Sequence, residues 1–205
     1  DCYPLGEKNK LIFAPGLLSH AESSFAERVS MGGKSPLNSG IALSNGGGMT
    51  GKQLGSAGIR AVIFEGLPQS DRLFLLEVSS RSARLLSADH LQGKGTFATA
   101  AALRAQYGKE AAIACIGPAG EMLMPGAAVA HVDKDGRADR FCGRGGLGAV
   151  MGSKRIKAIV IPPEAKKLGL HEQKKVKTAA DRLEHRLKET MEQLHVVLSR
   201  RGLPL

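Results

Sequence analysis

At 205 residues and 42% hydrophobic content, the chain suits one cored domain with an appendage. No apolar run reaches membrane-spanning length and no signal peptide is visible. The three cysteines, Cys2, Cys115 and Cys142, are scattered, with no CxxC and no His/Cys cluster. That argues against a structural zinc or a complete Cys-ligated iron–sulfur site within the chain, and for a reducing, cytoplasmic setting.

Asp1-Cys2-Tyr3-Pro4 opens the chain abruptly, without an initiator Met. Residues 10–14 (KLIFA) predict a buried strand, which Pro15-Gly16 should break. Residues 19–27 read as a polar loop, 28–31 as a short strand, and 34–40, with Pro36, as a turn. A short helix over 50–57 and a strand over 61–65 follow. Residues 73–78 and 83–86 predict a strand pair joined by the polar turn 79–82. Residues 87–91 read as a loop or a single helical turn. Residues 96–107 are Ala-rich and amphipathic, hence helix. Strands are expected at 111–116 and 127–132, and a charged turn at 133–139. Pro162-Pro163 closes the compact region. Beyond it, Val176, Ala180, Leu183, Leu187, Met191, Leu194 and Leu198 recur at three- and four-residue steps, which makes one long amphipathic helix. Its Lys- and Arg-rich face reads as solvated, and its apolar stripe needs a partner. Gly202 with Pro204 reads as a helix stop, and Leu203-Pro204-Leu205 as an interruption rather than a terminus.

Net charge is +10, with pI near 9.8. Much of the excess lies in the C-terminal tail, and no motif interleaves basic and aromatic residues for RNA or DNA. Anionic cofactor phosphates or an acidic partner account for the sign equally well.

One stretch repeats. Gly46–Gly66 (GGGMTGKQLGSAGIRAVIFEG) aligns without a gap on Gly143–Pro163 (GRGGLGAVMGSKRIKAIVIPP). Gly46, Gly48, Gly51, Gly55, Ser56, Ile59 and Ala61 recur as Gly143, Gly145, Gly148, Gly152, Ser153, Ile156 and Ala158. Each copy reads as glycine-rich loop, short helix and buried strand. Such a loop can bring backbone amides close to a phosphate, and Arg140 and Arg144 add forked, charged contacts in the second copy. The plain alternative is a pair of ordinary tight helix–strand turns. The fold expected is α+β: a β-rich, pseudo-symmetric domain of two related loop–helix–strand halves with mixed sheets (residues 1–163), then a C-terminal amphipathic helix (164–205).

The second copy resembles the signature of the N-terminal domain of tungsten-containing aldehyde:ferredoxin oxidoreductases. Further stretches are similar in the same order: NKLIFAPGLL from Asn9, Arg28, Lys34-Ser35-Pro36-Leu37, Ser44-Asn45-Gly46-Gly47-Gly48, AGIRAVIFEG from Ala57, ADHLQG from Ala88 and IGPAGE from Ile116. The resemblance implies a base for a bis-pyranopterin whose dithiolenes hold tungsten or molybdenum, with magnesium bridging the pterin phosphates. Carried over by position, Arg28 would contact a phosphate, and Asn45 would give magnesium a backbone carbonyl. Gly46 and Gly47 would pass close to one pterin. Arg140 would bind the other phosphate side, Phe141 would give the second magnesium-bound carbonyl, and Arg144 would contact the same pterin. Family enzymes oxidise an aldehyde to its acid and pass electrons through a [4Fe–4S] cluster to ferredoxin. The partners so implied are ferredoxin or an electron-transfer subunit, the missing C-terminal domains or a complementary subunit, and a second copy in a homodimer.

The chain also departs from the family. The family's first strands and its second and third domains are not expected within these 205 residues, so no catalytic residue or cluster ligand can be named among them. Gly46 replaces the usual Ser, Met122 the usual Asn, and Phe141-Cys142 is bulkier than the usual small pair. Cys142 is not expected to bind metal, since dithiolenes supply the sulfurs. Cys115 reads as core packing, Glu121 as a brace, and His20, His90 and His131 as surface or core residues. Lys34 and Lys154 read as structural or phosphate-facing. The expected function is therefore the cofactor-binding N-terminal portion of an oxidoreductase. The alternative is a non-catalytic truncated paralogue or scaffold acting through protein contacts.

Overall fold

The computed structural model describes residues 2–20, 27–163 and 173–200. The expected loop at 19–27, the start of the 164–205 segment and the stop at 202–205 lie wholly or partly outside them. Strand β1 (Leu11–Pro15), β2 (Val29–Lys34), β3 (Ile41–Gly46), helix α1 (Met49–Ser56) and β4 (Val62–Phe64) form a first unit. Its four strands lie in the order β3-β2-β1-β4, each pair antiparallel. After the hairpin β5 (Phe74–Val78) and β6 (Ala83–Ser87) come a 3-10 turn at Asp89–Leu91 and helix α2 (Thr96–Tyr107). Then β7 (Ala112–Cys115), α3 (Pro118–Glu121), β8 (Val129–His131), β9 (Arg140–Cys142), α4 (Leu147–Ser153) and β10 (Ile156–Ile161) form a second unit.

The second unit repeats the first. Its strands run β9-β8-β7-β10, again antiparallel at every pairing, with β5 added in parallel beside β10 and β6 outside it. The repeat seen in sequence as loop, helix and strand is thus a whole four-stranded unit with a helix. One shared core fixes the halves together. Helices α1 and α4 lie between the sheets, and their Leu54, Leu147, Val150 and Met151 join Leu11, Phe13, Val29 and Met31 of one sheet to Val129, Ile159 and Ile161 of the other. The opposite face of the six-stranded sheet, with Ile113, Cys115, Ala158 and Val160, packs on Ala100 and Leu103 of α2. Each fully buried side chain of this size contributes about 1.5–3 kcal/mol.

Several expected bounds move for local reasons. Strand β3 falls between the expected turn at 34–40 and the glycine-rich loop, where no element was predicted, because its alternation is inverted: Ile41 and Leu43 face out while Ser44 and Gly46 are buried. Strand β2 continues through Lys34 because the buried Asn9 side chain extends its ladder. Lys34 N donates to Asn9 Oδ1 at 2.9 Å and Asn9 Nδ2 donates to the Lys34 carbonyl at 3.0 Å. Residues 140–142 are a strand rather than part of the glycine loop. Residues 96–107 are helical as expected, and 73–78 with 83–86 form the expected antiparallel hairpin. Helix α5 spans Gln173–Arg200, with Leu183, Leu187 and Met191 exposed along one stripe.

Candidate functional site

The recurring glycines fall into two groups. In α1, a Cβ at Gly51 would sit 2.6 Å from the Arg28 carbonyl, where the chain enters β2. In α4, a Cβ at Gly148 would sit 2.5 Å from the Ala128 carbonyl, where the chain enters β8. Gly55 likewise abuts Ser19 in the β1–β2 connection, and Gly152 abuts Gly120 in the β7–β8 connection. These four are glycine because a helix lies against backbone in each unit. The alternative of tight structural turns holds for them.

Gly47 and Gly143 differ. A Cβ at Gly143 would meet nothing within 4 Å, and one at Gly47 would meet only Arg140 Cδ at 3.9 Å. Neither has the positive φ that demands glycine. Internal packing does not explain them, and both leave bare backbone on an open surface, which suits close approach of a ligand.

That surface is the junction where β3 meets β9. Strand pairing sets Gly46 opposite Val29 and Cys142 opposite Val129. Gly46 therefore corresponds to Cys142, and Asn45 to Phe141. The gapless alignment shifts here, since the helices keep it while the second loop is longer by one residue. The equivalents meet: a Cβ at Gly46 would lie 2.8 Å from Cys142 Sγ. Arg28 Nη2 donates to the Asn45 carbonyl at 3.1 Å, and Ser30 Oγ donates to Asn45 Oδ1 at 2.7 Å. The Arg144 amide donates to Ser44 Oγ at 3.2 Å and so ties the second loop to the first. All seven residues singled out from sequence thus converge at one junction. Arg28, Asn45, Arg140, Phe141 and Arg144 are exposed there, with Gly47 partly so and Gly46 buried beneath.

The groups below the junction were not read as part of a site. Asp133 is buried, and its Oδ1 accepts the amides of Asp135 and Arg137 at 2.9 Å each. Its Oδ2 faces Arg140 Nη2 at 3.5 Å, and Asp139 Oδ1 faces Arg140 Nε at 3.4 Å. Burial pushes the Asp133 carboxyl up, but the two amides and the charges of Arg137 and Arg140 outweigh it and hold it below the usual range. Asp133 stays charged and faces Arg140, whose Cδ lies beside Gly47. His131 is fully buried, and burial lowers its pKa to about 4, so it is neutral. Its Nδ1 pairs with Thr50 Oγ1 at 2.9 Å, while Nε2 has no hydrogen-bond partner. Burial lifts the Cys142 thiol to about 11, against smaller pulls from Ser44 and Arg28. A protonated thiol is the wrong form for a metal ligand. Among the described residues no cluster of three or more His, Cys, Asp or Glu could hold a metal.

Other candidates lie elsewhere. Lys154 Nζ donates to the carbonyls of Gly66, Gly6 and Glu7 at 2.7, 3.0 and 3.3 Å, so it is a staple for the N-terminal segment. Lys157 is fully buried, ion-paired to Glu121, and donates to the Lys94 carbonyl at 2.7 Å. Glu121 is a brace.

Two sheets meet at a pseudo-symmetric pair of loops, with guanidinium groups and bare glycine backbone exposed at the join. A family model for the aldehyde ferredoxin oxidoreductase N-terminal domain matches residues 1–163. The chain is 39% identical over 159 residues to the tungsten-containing aldehyde ferredoxin oxidoreductase of Pyrococcus furiosus, and 40% to that of Thermococcus kodakarensis. Each match covers 77% of this chain and 25% of the relative, so the chain spans about a quarter of the length of these relatives. The active-site complex BamBC of benzoyl coenzyme A reductase, solved with 1,5-dienoyl-CoA, is similar at TM-score 0.73 and 32% identity. That likeness covers 82% of this chain and 24% of the solved one. The chain belongs to the aldehyde ferredoxin oxidoreductase family, matching its N-terminal domain. Among the described residues, no helix is long and apolar enough to cross a membrane.

Proposed function

We propose that this chain forms the base of a cradle for a bis-pyranopterin holding tungsten or molybdenum, within an oxidoreductase that converts aldehydes to carboxylic acids. The observation that carries the reading is the β3–β9 junction. It brings Arg28 and Asn45 from one unit against Arg140 and Phe141 from the other, and leaves Gly47 and Gly143 open to solvent. A two-part ligand suits a two-part surface. The fit is chemical as well. Arg28, Arg140 and Arg144 offer forked donors to phosphate. The carbonyls of Asn45 and Phe141 are hard oxygen donors suited to magnesium. The Asn45 oxygen keeps a second lone pair beside its bond from Arg28.

When bound, the metal–pterin group supplies two-electron redox chemistry between aldehyde and acid. The chain's residues bind and orient. Asp133 and Asp139 hold the Arg140 guanidinium beside the second loop, and Arg28 braces the loop that carries Asn45. The [4Fe–4S] cluster and ferredoxin contact belong, in this reading, to sequence outside these residues, since Cys115 and Cys142 are buried thiols. Substrate choice also lies outside them. The aldehyde enzymes and the benzoyl coenzyme A reductase are named for different substrates, yet this chain is similar to both.

The test is metal and pterin analysis of the chain, purified without oxygen from a host that makes the pterin and is supplied with tungstate and molybdate. Near one tungsten or molybdenum per chain, with releasable pterin, supports the cradle. A folded chain with neither, both alone and joined to the remaining domains of a relative, overturns it.

A further inference from the structure

Gly46 and Cys142 end the equivalent strands β3 and β9, and they touch. Equivalent residues that touch lie on the axis relating the two units. A close-packed axis has room for one side chain where two would collide. Here the room is filled from one side only. A Cβ at Gly46 would lie 2.8 Å from Cys142 Sγ and 2.9 Å from His131 Cδ2. Neither neighbour is free to yield. Both are fully buried. His131 is tied to Thr50, and Cys142 Sγ approaches the Ser44 carbonyl at 3.8 Å.

We infer that Gly46 and Cys142 form a one-sided spacer that sets the separation of the two loops, and with it the separation of the Asn45 and Phe141 carbonyls next to them in the chain. The magnesium half of this inference rests on the cradle reading; the spacer half rests on packing. Glycine on one strand and a thiol on the other are a matched pair. Enlarging one side alone forces the strands apart, and shrinking the other relieves the contact between them while the approach to His131 stays. Gly46 and Cys142 are positioning residues in this role, because neither offers an atom to the ligand.

The experiment compares the full chain carrying Gly46→Ala, Cys142→Ala and both together with the wild type, made in the cofactor-producing host. Melting midpoint and magnesium and pterin per folded chain are read in parallel. Gly46→Ala should lower the midpoint and weaken magnesium retention about 10- to 100-fold, the range for displaced groups behind a metal's ligands. Cys142→Ala should change both less, and the double variant should recover the part of both losses that Cys142 Sγ causes, the 2.9 Å approach to His131 remaining. If Gly46→Ala fails to fold, recovery of folding in the double variant supports the spacer. A harmless Gly46→Ala, or a double variant no better than the single, overturns it. If the wild type retains neither magnesium nor pterin, the cradle reading falls separately. The midpoints then decide the spacer: recovery upholds it and additive losses overturn it.

Discussion

The two units share a topology and much of a sequence, yet one is enclosed and the other is half bare. Strand β10 is buried along its whole length, between β5 and β7 in its sheet and with side chains in both cores. Its counterpart β4 ends the first sheet, and Ile63 is 54% exposed where Val160 is fully buried. On the same outer face, cross-strand pairing sets Ile63, Ile12, Gly32 and Leu43 in one row, and Leu43 is exposed too. The repeat thus encodes the inner face of each sheet, which packs on α1 and α4, and leaves the outer face to whatever each unit meets. Arg60 and Lys157 occupy matching positions. Arg60 is exposed, whereas Lys157 is fully buried against Glu121.

That last pair gives the largest expected contrast. Lys157→Ala strands the Glu121 carboxylate in a poorly solvated place and should cost about 3–5 kcal/mol. Arg60→Ala should stay within about 0.5 kcal/mol. Equilibrium denaturation of both variants measures the difference. Equal losses would mean that the units are less distinct than their burial implies.

The next contrast is in pH. Strand pairing makes Met31 of the first unit the counterpart of His131 in the second, and both are fully buried. Only His131 titrates. Its folded pKa of about 4 lies below the ordinary 6.5, so the folded state binds fewer protons than the unfolded one. Its contribution is present in full above pH 6.5 and is lost as pH falls from 6.5 towards 4, a change of about 3 kcal/mol. His131→Met, which grafts the first unit's residue, should flatten stability over that window. Denaturant midpoints from pH 7 to 4 check it, and parallel curves for the two proteins would contradict it.

Glycines divide by role rather than by unit. Gly51→Ala and Gly148→Ala each drive a methyl into a carbonyl and should each cost about 1–3 kcal/mol. Gly47→Ala and Gly143→Ala should leave the melting midpoint unchanged and lower the retained pterin. A loss of stability at Gly143 comparable to that at Gly148 would remove the ligand reading of the open glycines.

How much of this was legible follows from the same physics. The hairpin at β5–β6 and helix α2 were readable because periodicity and burial agree in them. Strand β3 was not, because it shows Ile41 and Leu43 to solvent and hides Ser44 and Gly46, the reverse of the pattern that marks a strand. Arg140 and Arg144 were legible in the glycine-rich loop itself, the other five site residues came from the resemblance, and the convergence of all seven is a fact of three-dimensional pairing. His131, Thr50 and Asp133 stayed silent, since a lone buried polar residue has no sequence signature until its neighbours are known. The match of glycine to glycine holds in the helices and slips by one residue in the loops, and it could not say which glycines face a helix contact and which face open surface.

The smallest contrast concerns how the two helices end. Both α1 and α4 are followed by a residue in the left-handed region: Gly58 at φ 75° in the first unit and Arg155 at φ 57° in the second. Glycine adopts that conformation freely, whereas a side chain costs about 1 kcal/mol there. Arg155 has one offset, an ion pair with Asp71 at 2.5 Å, but Asp71 is almost fully exposed, and such pairs contribute about 0–1 kcal/mol. Arg155→Gly should therefore be neutral or stabilise by a few tenths of a kcal/mol, roughly the residue left after those two terms oppose. Raising the salt concentration weakens the ion pair in the parent and leaves the backbone term alone, so the advantage of the glycine variant should grow with salt. A variant that is clearly less stable at high salt would show that Arg155 does more for the second unit than its partner in the first unit requires of Gly58.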